Sequence, residues 1–442
     1  MDIECPPQSG LRSPAVARVH AGLLTVALML LPLGGLTDGI GLVLLGCAAV
    51  AALPQCLARW RFLVSRPTLL LWAAWWILAF ASVSWSSDPG DAMLHGGWGL
   101  LAVPAMVPVI DQPLRWLWPL GVGVAAQTSI QLLGWVGMLS EPPYAAATAT
   151  GGLYLYLPLV GLWAATSVVL LCPLSVTIRA WPWRIVALTL VAAAAIGILL
   201  TVNRSSWGVV AVGLILIVMR CARFLPQLKR EWRSVGPVLL VLVAVVAVAM
   251  VRFDAGARVS KAIGDAYAFT MDDQPPAAVT RFDSSVGRRV LWWRAGWELL
   301  QDRPFVGHGA GSIERTLAKQ EAKMPSQWGA GVTDFITSNP HASLVATAIE
   351  QGGLGVVLLL SMALGVAIGA WRRGRTRAAL IGLGPAWIAL LLFSITHAVL
   401  LEPYTSVLVS ILLVGSLPVR ETHRHENQSR PMSDTNPDVP SF

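Results

Sequence analysis

The chain has 442 residues, of which 55% are hydrophobic and 13% charged, with a mean hydropathy of +0.64 and a formal net charge of +8. A soluble domain averages about 25% charged residues, so the composition excludes two or three soluble domains with well-hydrated surfaces. The apolar runs are continuous rather than alternating, which excludes a membrane β-barrel and predicts an all-α polytopic membrane protein.

Apolar windows of roughly 20 residues predict about 12 transmembrane helices along the chain. The first follows Arg12 and Arg18 as a signal peptide would, but no small-residue cleavage site closes it, so we interpret it as a retained anchor. The predicted spans lie near 19–36, 38–57, 68–85, 97–110, 116–139, 151–172, 184–202, 206–220, 235–251, 342–370, 378–397 and 403–418.

Charges in the short loops predict the orientation of these spans. Basic loops face the cytoplasm, and alternate loops carry Asp88 and Asp91, Glu141 or Glu402 with few bases. We therefore expect both termini in the cytoplasm, and this bias explains most of the net charge without a nucleic-acid partner. The bases of the four basic loops are Arg59, Arg61, Arg66, Arg179, Arg184, Arg220, Arg223, Lys229, Arg230, Arg233, Arg372, Arg373, Arg375 and Arg377.

The spans and loops divide the chain into four predicted regions. Residues 1–251 hold about nine N-terminal transmembrane helices, and residues 342–419 hold about three more. Between them, residues 252–341 form one large, partly helical loop on the outer side, far too long for a passive connection and expected to be functional. Residues 420–442 are polar and are predicted to be a disordered cytoplasmic tail.

The residues give no sign of a metal site. All five cysteines lie outside the long loop, and the seven histidines are scattered, so neither a disulfide nor a zinc site is predicted. Asp88 with Asp91, and Asp272 with Asp273, could hold a divalent cation. Turn formation is the commoner role of acids in such stretches.

Arg204 interrupts apolar sequence between two spans, within the stretch TVNRSSWGVV. An arginine at a helix end can reach the interface simply to keep its charge in water. On the outer side, however, positive-inside bias disfavours a basic residue. Polar neighbours, including Asn203, also surround it, and we therefore predict a ligand-binding role.

A second basic segment follows in the long loop, as GRRVLWWRAGWELLQDRPFVGHGAGS. Arg289, Trp293, Trp297 and Leu300 recur at helical spacing, which predicts an amphipathic helix lying in the outer membrane–water interface. Its arginines would meet lipid headgroups or the phosphate of a lipid-linked substrate. His308, in the glycine-rich stretch after this helix, is a weaker candidate ligand.

The third candidate is His341, which follows an Asn-Pro pair just before an apolar run. The proline predicts that a helix starts at about this point, which places the histidine in the first turn. There the helix dipole favours a neutral ring that can accept a proton. Ala348, Gly352 and Gly355 then share its face as a small-residue stripe, and Glu350 points the other way with a structural role.

The order of these motifs resembles the O-antigen ligase and polymerase superfamily, over roughly residues 190 to 370. Those ligases carry a histidine, one residue, nine more, and then G-x-x-G, which here correspond to His341, Ala342, Gly352 and Gly355. The family usually has Asn, Ser or Gln where Ala342 stands. Its R-x-x-x-L element is also altered, because tryptophans stand at that spacing after both Arg288 and Arg289.

The resemblance implies a metal-independent glycosyltransferase without a cofactor, in the bacterial inner membrane with its active site facing the periplasm. Its donor would be a glycan on undecaprenyl pyrophosphate, and its acceptor a sugar hydroxyl of lipid A core in lipopolysaccharide biosynthesis. The residues fit that chemistry. Arginines stabilise the charge that develops on a departing pyrophosphate, and a neutral histidine deprotonates the hydroxyl.

We therefore expect Arg204 and Arg289 to bind the pyrophosphate, with Arg288 as the alternative, and His341 to act as the base. Trp293 and Trp297 are expected to contact substrate at the membrane surface. Two other functions stay open: an O-antigen or exopolysaccharide polymerase with a similar site, and a transporter or flippase of lipid-linked glycan that breaks no bond. Charged residues deep within several spans would favour transport, whereas the predicted charged site residues gather on the outer face of the membrane.

Overall fold

The computed structural model describes most of the apolar part of the chain. The described residues are 13–33, 36–87, 89, 98–109, 112, 114–136, 138, 157–178, 180–201, 204–221, 260, 264, 285–323, 342–376, 381–396 and 403–417. These residues are almost entirely helical, and no strand occurs among them. The all-α class predicted from the sequence is therefore confirmed for this part of the molecule.

Fourteen α-helices are labelled here in chain order within the described residues. They are α1 (Pro14–Leu30), α2 (Leu36–Ala58), α3 (Trp60–Val64), α4 (Pro67–Ser82), α5 (Trp98–Met106), α6 (Leu114–Trp135), α7 (Leu157–Thr177), α8 (Trp181–Thr201), α9 (Arg204–Cys221), α10 (Ser285–Asp302), α11 (Ile313–Lys323), α12 (Ser343–Thr376), α13 (Leu383–Thr396) and α14 (Pro403–Ser416). Short 3-10 segments extend α1, α4 and α5 at Leu31–Leu33, Val83–Trp85 and Val107–Val109.

The predicted spans coincide with helices in the described part of the chain. Every predicted span except 235–251, which lies outside the described residues, overlaps one of these helices. Among the described residues, five helices are long and apolar enough to cross a membrane: Pro14–Leu33, Gly39–Ala58, Pro67–Trp85, Trp181–Thr201 and Ser343–Arg373. Five further apolar helices are shorter. The protein is thus an all-α membrane protein, and the total of about 12 spans stays a prediction.

The helices pack into a bundle with one continuous core. Helix α12 packs along α4, α13 and α14, while α7 packs against α8 and α9. Large aromatic side chains fill the interior, among them Trp116, Trp163, Trp387 and Phe393, which are fully buried. The indole N–H of Trp387 donates to the Ala363 carbonyl at 2.7 Å, because a buried N–H in an apolar interior needs an acceptor.

Three arginines of the predicted basic loops lie against helix C-termini at one end of the bundle, called here the basic end. Arg373 donates to the carbonyls of Gly415 and Leu417 at 2.7 and 2.8 Å. Arg220 donates to the Trp371 carbonyl and lies over its ring. Arg59 donates to the Val107 carbonyl at 3.2 Å. These contacts bring the C-terminal ends of α5, α9, α12 and α14 to the same end of the bundle.

Candidate functional site

The candidate site lies at the end of the bundle opposite the basic end, where α12 begins. Residues 303–312 connect α10 to α11 there and form a glycine-rich turn, RPFVGHGAGS. This turn inserts into α12, whose 34 residues are interrupted at Gly352, where φ is 66° and ψ is −163°. The kink divides α12 into a first segment, 343–351, and a longer second segment, 353–376.

The kink breaks two helical hydrogen bonds. Carbonyls of the turn accept from both of the amides that lose their helical partners. In a continuous helix, the amides of Gly353 and Leu354 would donate to carbonyls four residues earlier. Here the Gly353 amide donates to the Pro304 carbonyl at 2.7 Å, and the Leu354 amide donates to the Phe305 carbonyl at 3.2 Å. The kink therefore has an identifiable cause, the insertion of another backbone segment into the helical ladder.

The two carbonyls released by the kink are satisfied by the same turn. The His308 amide donates to the Ile349 carbonyl at 2.8 Å, and the Gly309 amide donates to the Glu350 carbonyl at 2.8 Å. All four backbone groups at the interruption thus have partners. Such replacement is required wherever a helix breaks inside an apolar environment, because an unsatisfied backbone group there costs several kcal/mol.

Two glycines with positive φ make this close approach possible. Gly307 has φ 65° and Gly352 has φ 66°. A Cβ on Gly307 would stand 2.6 Å from the Glu350 carbonyl carbon, and a Cβ on Gly352 would stand 2.5 Å from that of Phe305. Any larger residue at either position would separate the two backbones and remove the hydrogen bonds between them.

Two side-chain oxygens hold the far half of the turn. The Glu350 carboxylate, 8% exposed, accepts from the Gly311 amide at 2.8 Å. The hydroxyl of Ser82, at the end of α4, accepts from the Ala310 amide at 2.9 Å. Glu350 therefore has the structural role expected from its burial, because its carboxylate forms a charge-assisted hydrogen bond with the turn.

The same turn also lies against the segment that follows α4. A Cβ on Gly309 would stand 2.5 Å from the Cα of Ser86. In α11, the helix that follows the turn, the exposed guanidinium of Arg315 donates to the Ser87 carbonyl at 2.7 Å. The second half of the turn, from Gly307 to Ser312, therefore lies between α4 and α12, while residues 303–306 are exposed.

His308 has a structural position within this turn. Its Nε2 lies 3.1 Å from the Leu299 carbonyl near the end of α10, so this nitrogen carries the proton and donates it. Burial, first, lowers the pKa of His308 below its ordinary value of 6.5, and Arg303 lowers it further. A neutral imidazole that ties the turn to α10 follows from this geometry, in place of the ligand role considered from the sequence.

Helix α10 is the amphipathic helix predicted from the sequence. One side packs on α12, with Trp292, Ala295 and Leu299 buried. Gly296 allows the closest contact, since a Cβ there would stand 2.4 Å from a methyl carbon of Val345. The opposite side exposes the apolar rings of Trp293 and Trp297, which are 45% and 61% exposed, as expected for a helix that rests on lipid.

Three arginines were predicted in the site, and two of them lie on α10. Arg289 is partly exposed in the first half of the helix, three residues before the buried Trp292. Arg288 belongs to the same helix, and Arg204 is the first residue of α9; the side chains of both lie outside the described part of the chain. The roles of these arginines stay predictions.

His341 lies outside the described residues, but the start of the following helix is defined. The Ala342 carbonyl accepts the first helical hydrogen bond, from Ala346 at 3.0 Å, and α12 begins at Ser343. The expectation that His341 lies in the first turn falls on a residue outside the described part of the chain and stays a prediction. The described helix begins at Ser343, where Ala342 and Ser343 are both buried.

The prediction that Ala348, Gly352 and Gly355 form a small-residue stripe on one helix face is wrong. It assumed 100° per residue from His341 through Gly352 to Gly355, which requires a continuous helix. The interruption at Gly352 changes the direction of the chain. Gly355 instead accommodates a side chain of its own helix, since a Cβ there would stand 2.3 Å from the Cβ of Gln351.

Helix lengths on the two sides of the Arg220–Trp371 contact are similar. Arg220 contacts Trp371 near the C-terminal ends of α9 and α12. From Arg220 back to Arg204 the helical rise gives about 24 Å, and from Trp371 back to Gly352 about 28 Å. The start of α9 and the kink of α12 therefore lie at similar helical distances from this contact.

Metal binding was not predicted, and Asp88, Asp91, Asp272 and Asp273, the acids considered for it, all lie outside the described residues. Within the described ranges, no group of three or more His, Cys, Asp or Glu side chains is arranged to hold a metal ion. Sequence reasoning missed the contribution of Ser82, which lies 228 positions from its partner Ala310. The glycines of RPFVGHGAGS were the available signal for the close backbone contact.

The fold and this junction define an all-α membrane protein in which an arginine-bearing helix and a glycine-rich turn are docked on a kinked helix. Residues 188–360 match the family described as O-Antigen ligase. That segment extends from α8 through α9, α10 and the glycine-rich turn to the part of α12 beyond its kink. This part of the chain is therefore similar to the O-antigen ligase family, as the motifs indicated. A search of curated proteins finds no match to the chain.

Proposed function

We propose that this protein is an O-antigen ligase, which transfers a glycan from undecaprenyl pyrophosphate to a sugar hydroxyl of lipid A core at the periplasmic face of the bacterial inner membrane. The observation that carries the proposal is the family match over residues 188–360. That segment contains Arg204, Arg288, Arg289 and His341, and it includes α10, the glycine-rich turn and the kink of α12.

The proposed reaction is a single displacement at the anomeric carbon of the donor. The oxygen of the acceptor hydroxyl forms a bond to that carbon while the bond from the carbon to the pyrophosphate oxygen breaks. The pyrophosphate departs with the electron pair, and its developing charge is stabilised by Arg204 and Arg289, with Arg288 as the alternative. His341 accepts the proton of the attacking hydroxyl. No metal ion or cofactor takes part in the proposal.

The membrane position of α10 suits substrates with lipid tails. The exposed Trp293 and Trp297 would rest at the level of the lipid headgroups, where indole rings are favoured. A pyrophosphate attached to a lipid lies at the same depth. Arg289, four residues before Trp293, would then meet the pyrophosphate without leaving the interface.

The test is transfer by the purified protein in lipid nanodiscs. Undecaprenyl pyrophosphate-linked glycan and lipid A core are supplied, and the product is read as a shift of the core to larger size on a gel. Transfer that persists in EDTA supports the proposal. Transfer that EDTA abolishes and Mg²⁺ restores would overturn its metal-independent part, and absence of transfer would overturn the ligase function.

A polymerase is the second candidate, because the superfamily resemblance includes enzymes that use a similar site with a growing lipid-linked glycan as acceptor. A strain lacking the gene distinguishes the two. A ligase mutant accumulates polymerised glycan on undecaprenyl pyrophosphate and displays bare lipid A core. Single repeat units alone, on the lipid or on the core, would identify a polymerase. Movement of the lipid-linked glycan across the membrane without bond cleavage would identify a transporter.

A further inference from the structure

We propose that the glycine-rich turn and the kink at Gly352 form a positioning clasp, held by Glu350, that sets Arg289 relative to His341. The clasp consists of residues 303–312, their partners Ile349–Leu354 on α12, and Ser82 on α4. The inference rests on the proposed function for the roles of the two positioned residues. The clasp itself rests on the described contacts alone.

The first step of the argument concerns the direction of the first segment of α12. In an unbroken helix this direction is fixed by the hydrogen bonds that run through residue 352. Those bonds are absent here, because the amides of Gly353 and Leu354 donate to the turn instead. The orientation of residues 343–351 is therefore set by the turn and by packing rather than by the rest of α12.

The second step connects the same turn to α10. The turn begins directly after α10 ends at Asp302. The imidazole of His308 donates back to the Leu299 carbonyl at 3.1 Å, and Gly296 of α10 packs against Val345 of the first segment. The turn thus joins α10 and the first segment of α12 into one unit.

The third step identifies Glu350 as the positioning residue. The near half of the turn is held by main-chain hydrogen bonds, in which the side chain of Glu350 takes no part. The far half is held by the Glu350 carboxylate on Gly311 and by the Ser82 hydroxyl on Ala310. Glu350 belongs to the first segment of α12, so its bond is the side-chain contact that joins this segment to the far half of the turn.

The expected loss of activity is large because a small rotation at the kink moves the far end of the first segment of α12. Glu350 and Ser343, the first residue of α12, are seven residues apart, which corresponds to about 10 Å of helical rise. A rotation of about 5° at the kink then moves the start of α12, two positions after His341, by about 1 Å. Displacement by this distance lowers rates by about 100-fold in well-positioned active sites. A small loosening of the clasp is therefore sufficient to separate the proposed base from the substrate held by Arg289.

The experiment compares Glu350→Ala and Glu350→Gln with the wild-type protein in nanodiscs. The alanine variant removes the acceptor for Gly311. The glutamine variant keeps an oxygen that accepts a hydrogen bond and removes the charge. The matched control is Glu298→Gln, which removes an exposed carboxylate of α10 that pairs with Arg294 outside the clasp. Two quantities are measured: amide hydrogen exchange over residues 303–312 and 343–354, and kcat with KM for the lipid-linked donor.

We expect Glu350→Ala to exchange faster in both segments and to lower kcat by about 10- to 100-fold, with KM for the donor within about twofold of wild type. Glu350→Gln should retain protection and kcat within about threefold, because the hydrogen bond survives. Glu298→Gln should match the wild type in both measurements. A glutamine variant as inactive as the alanine variant would overturn positioning, since it would show that the charge of Glu350 acts in the reaction.

The exchange measurement separates the clasp from the proposed function. Unchanged exchange in Glu350→Ala overturns the clasp, and faster exchange with normal kcat overturns its positioning role. If the wild-type protein transfers no glycan, the proposed function fails while the exchange result still decides whether Glu350 holds the turn. Should Glu350→Ala not accumulate as folded protein, Ser82→Ala removes the other side-chain acceptor and is judged by the same two measurements.

Discussion

The two ends of the bundle solve the same physical problem with different groups. Helix ends leave backbone groups without intrahelical partners, and an apolar surrounding makes this costly. At the basic end, Arg59, Arg220 and Arg373 donate to carbonyls near helix C-termini. At the clasp end, most partners come from the main chain of an inserted turn, supplemented by Glu350 and Ser82.

The arginines of the basic end therefore have a structural role, whereas the proposed chemistry takes place at the clasp end. An arginine at a helix C-terminus is favoured by the helix dipole as well as by hydrogen bonding, so the residues that bias topology also stabilise the basic end. At the clasp end, the exposed Arg315 makes such a contact with the Ser87 carbonyl. Arg289 lies on a partly exposed helix face beside the exposed Trp293 and Trp297. Arginine substitutions should therefore affect activity at one end and stability at the other.

The largest expected effect comes from removing the proposed base at the clasp end. His341→Ala should lower turnover by about 10²- to 10⁴-fold, the usual contribution of a general base, while the protein stays folded and binds donor. The control is His423→Ala, in the predicted cytoplasmic tail. Turnover of the purified variants is measured with saturating donor, and wild-type turnover by His341→Ala would refute the assignment.

The second effect compares conservative arginine substitutions at the two ends. Arg204→Lys and Arg289→Lys keep the charge and lose the planar fork that binds phosphate oxygens in pairs. Each should lower kcat/KM for the donor by about 10- to 100-fold, as the loss of about 1.5–3 kcal/mol of charge-assisted hydrogen bonding implies. Arg373→Lys, at the basic end, is the matched control and should keep wild-type turnover per folded molecule. Normal kinetics in both clasp-end variants would reduce these arginines to generic charges.

A third prediction concerns stability at the basic end. Arg373→Ala leaves the carbonyls of Gly415 and Leu417 without the donor that now serves both. Removing a partner from a buried polar group costs about 1–3 kcal/mol, so the free energy of unfolding in detergent should fall by about 2 kcal/mol. The same variant should transfer glycan normally once the folded fraction is accounted for. An unchanged unfolding free energy, or a loss of turnover in folded protein, would contradict the division of roles between the ends.

Helix positions were predictable because a membrane span needs a long, continuous apolar run, and such runs are visible in one sequence. The amphipathic α10 was predictable for a related reason, since its apolar and basic residues recur at helical spacing. The O-antigen ligase resemblance followed from motif order. None of these inferences requires knowledge of which distant residues touch.

The kink at Gly352 was not predictable by the same means. It depends on hydrogen bonds with a turn some 45 residues earlier in the chain, from Pro304 to Gly309. A glycine in an apolar run is equally compatible with a close helix contact, and the positive φ becomes evident only when the partner backbone is present. The predicted face shared by Ala348, Gly352 and Gly355 failed for this reason. Glu350 was correctly given a structural role, but its partner Gly311 could not be named.

The smallest predicted effect is a pH dependence centred on His308. Its pKa lies below the ordinary 6.5, first because of burial. The hydrogen bond to Leu299 and the charge of Asp302 oppose this shift, while Arg303 and Lys319 add to it. Above pH 6.5 the ring is neutral in both the folded and the unfolded chain, and the contact with Leu299 contributes fully. As the pH falls below 6.5, the unfolded chain binds a proton that the folded protein does not, so this contribution to stability decreases until the lowered pKa is passed.

We therefore expect the melting temperature to fall between about pH 7.5 and about pH 5, and to fall less in His308→Gln, whose amide N–H can replace the donor at Nε2 without titrating. The difference between the two slopes is the relevant quantity, because other groups titrate in both proteins. Turnover measured at about pH 7.5 should be nearly equal, since the ring is neutral there and the glutamine keeps the tie between the turn and α10. Equal slopes would show that His308 is not held neutral by the fold. A glutamine variant with a steeper slope would mean that the folded protein prefers the protonated ring, and the direction of the shift would then be the reverse of the one argued from burial.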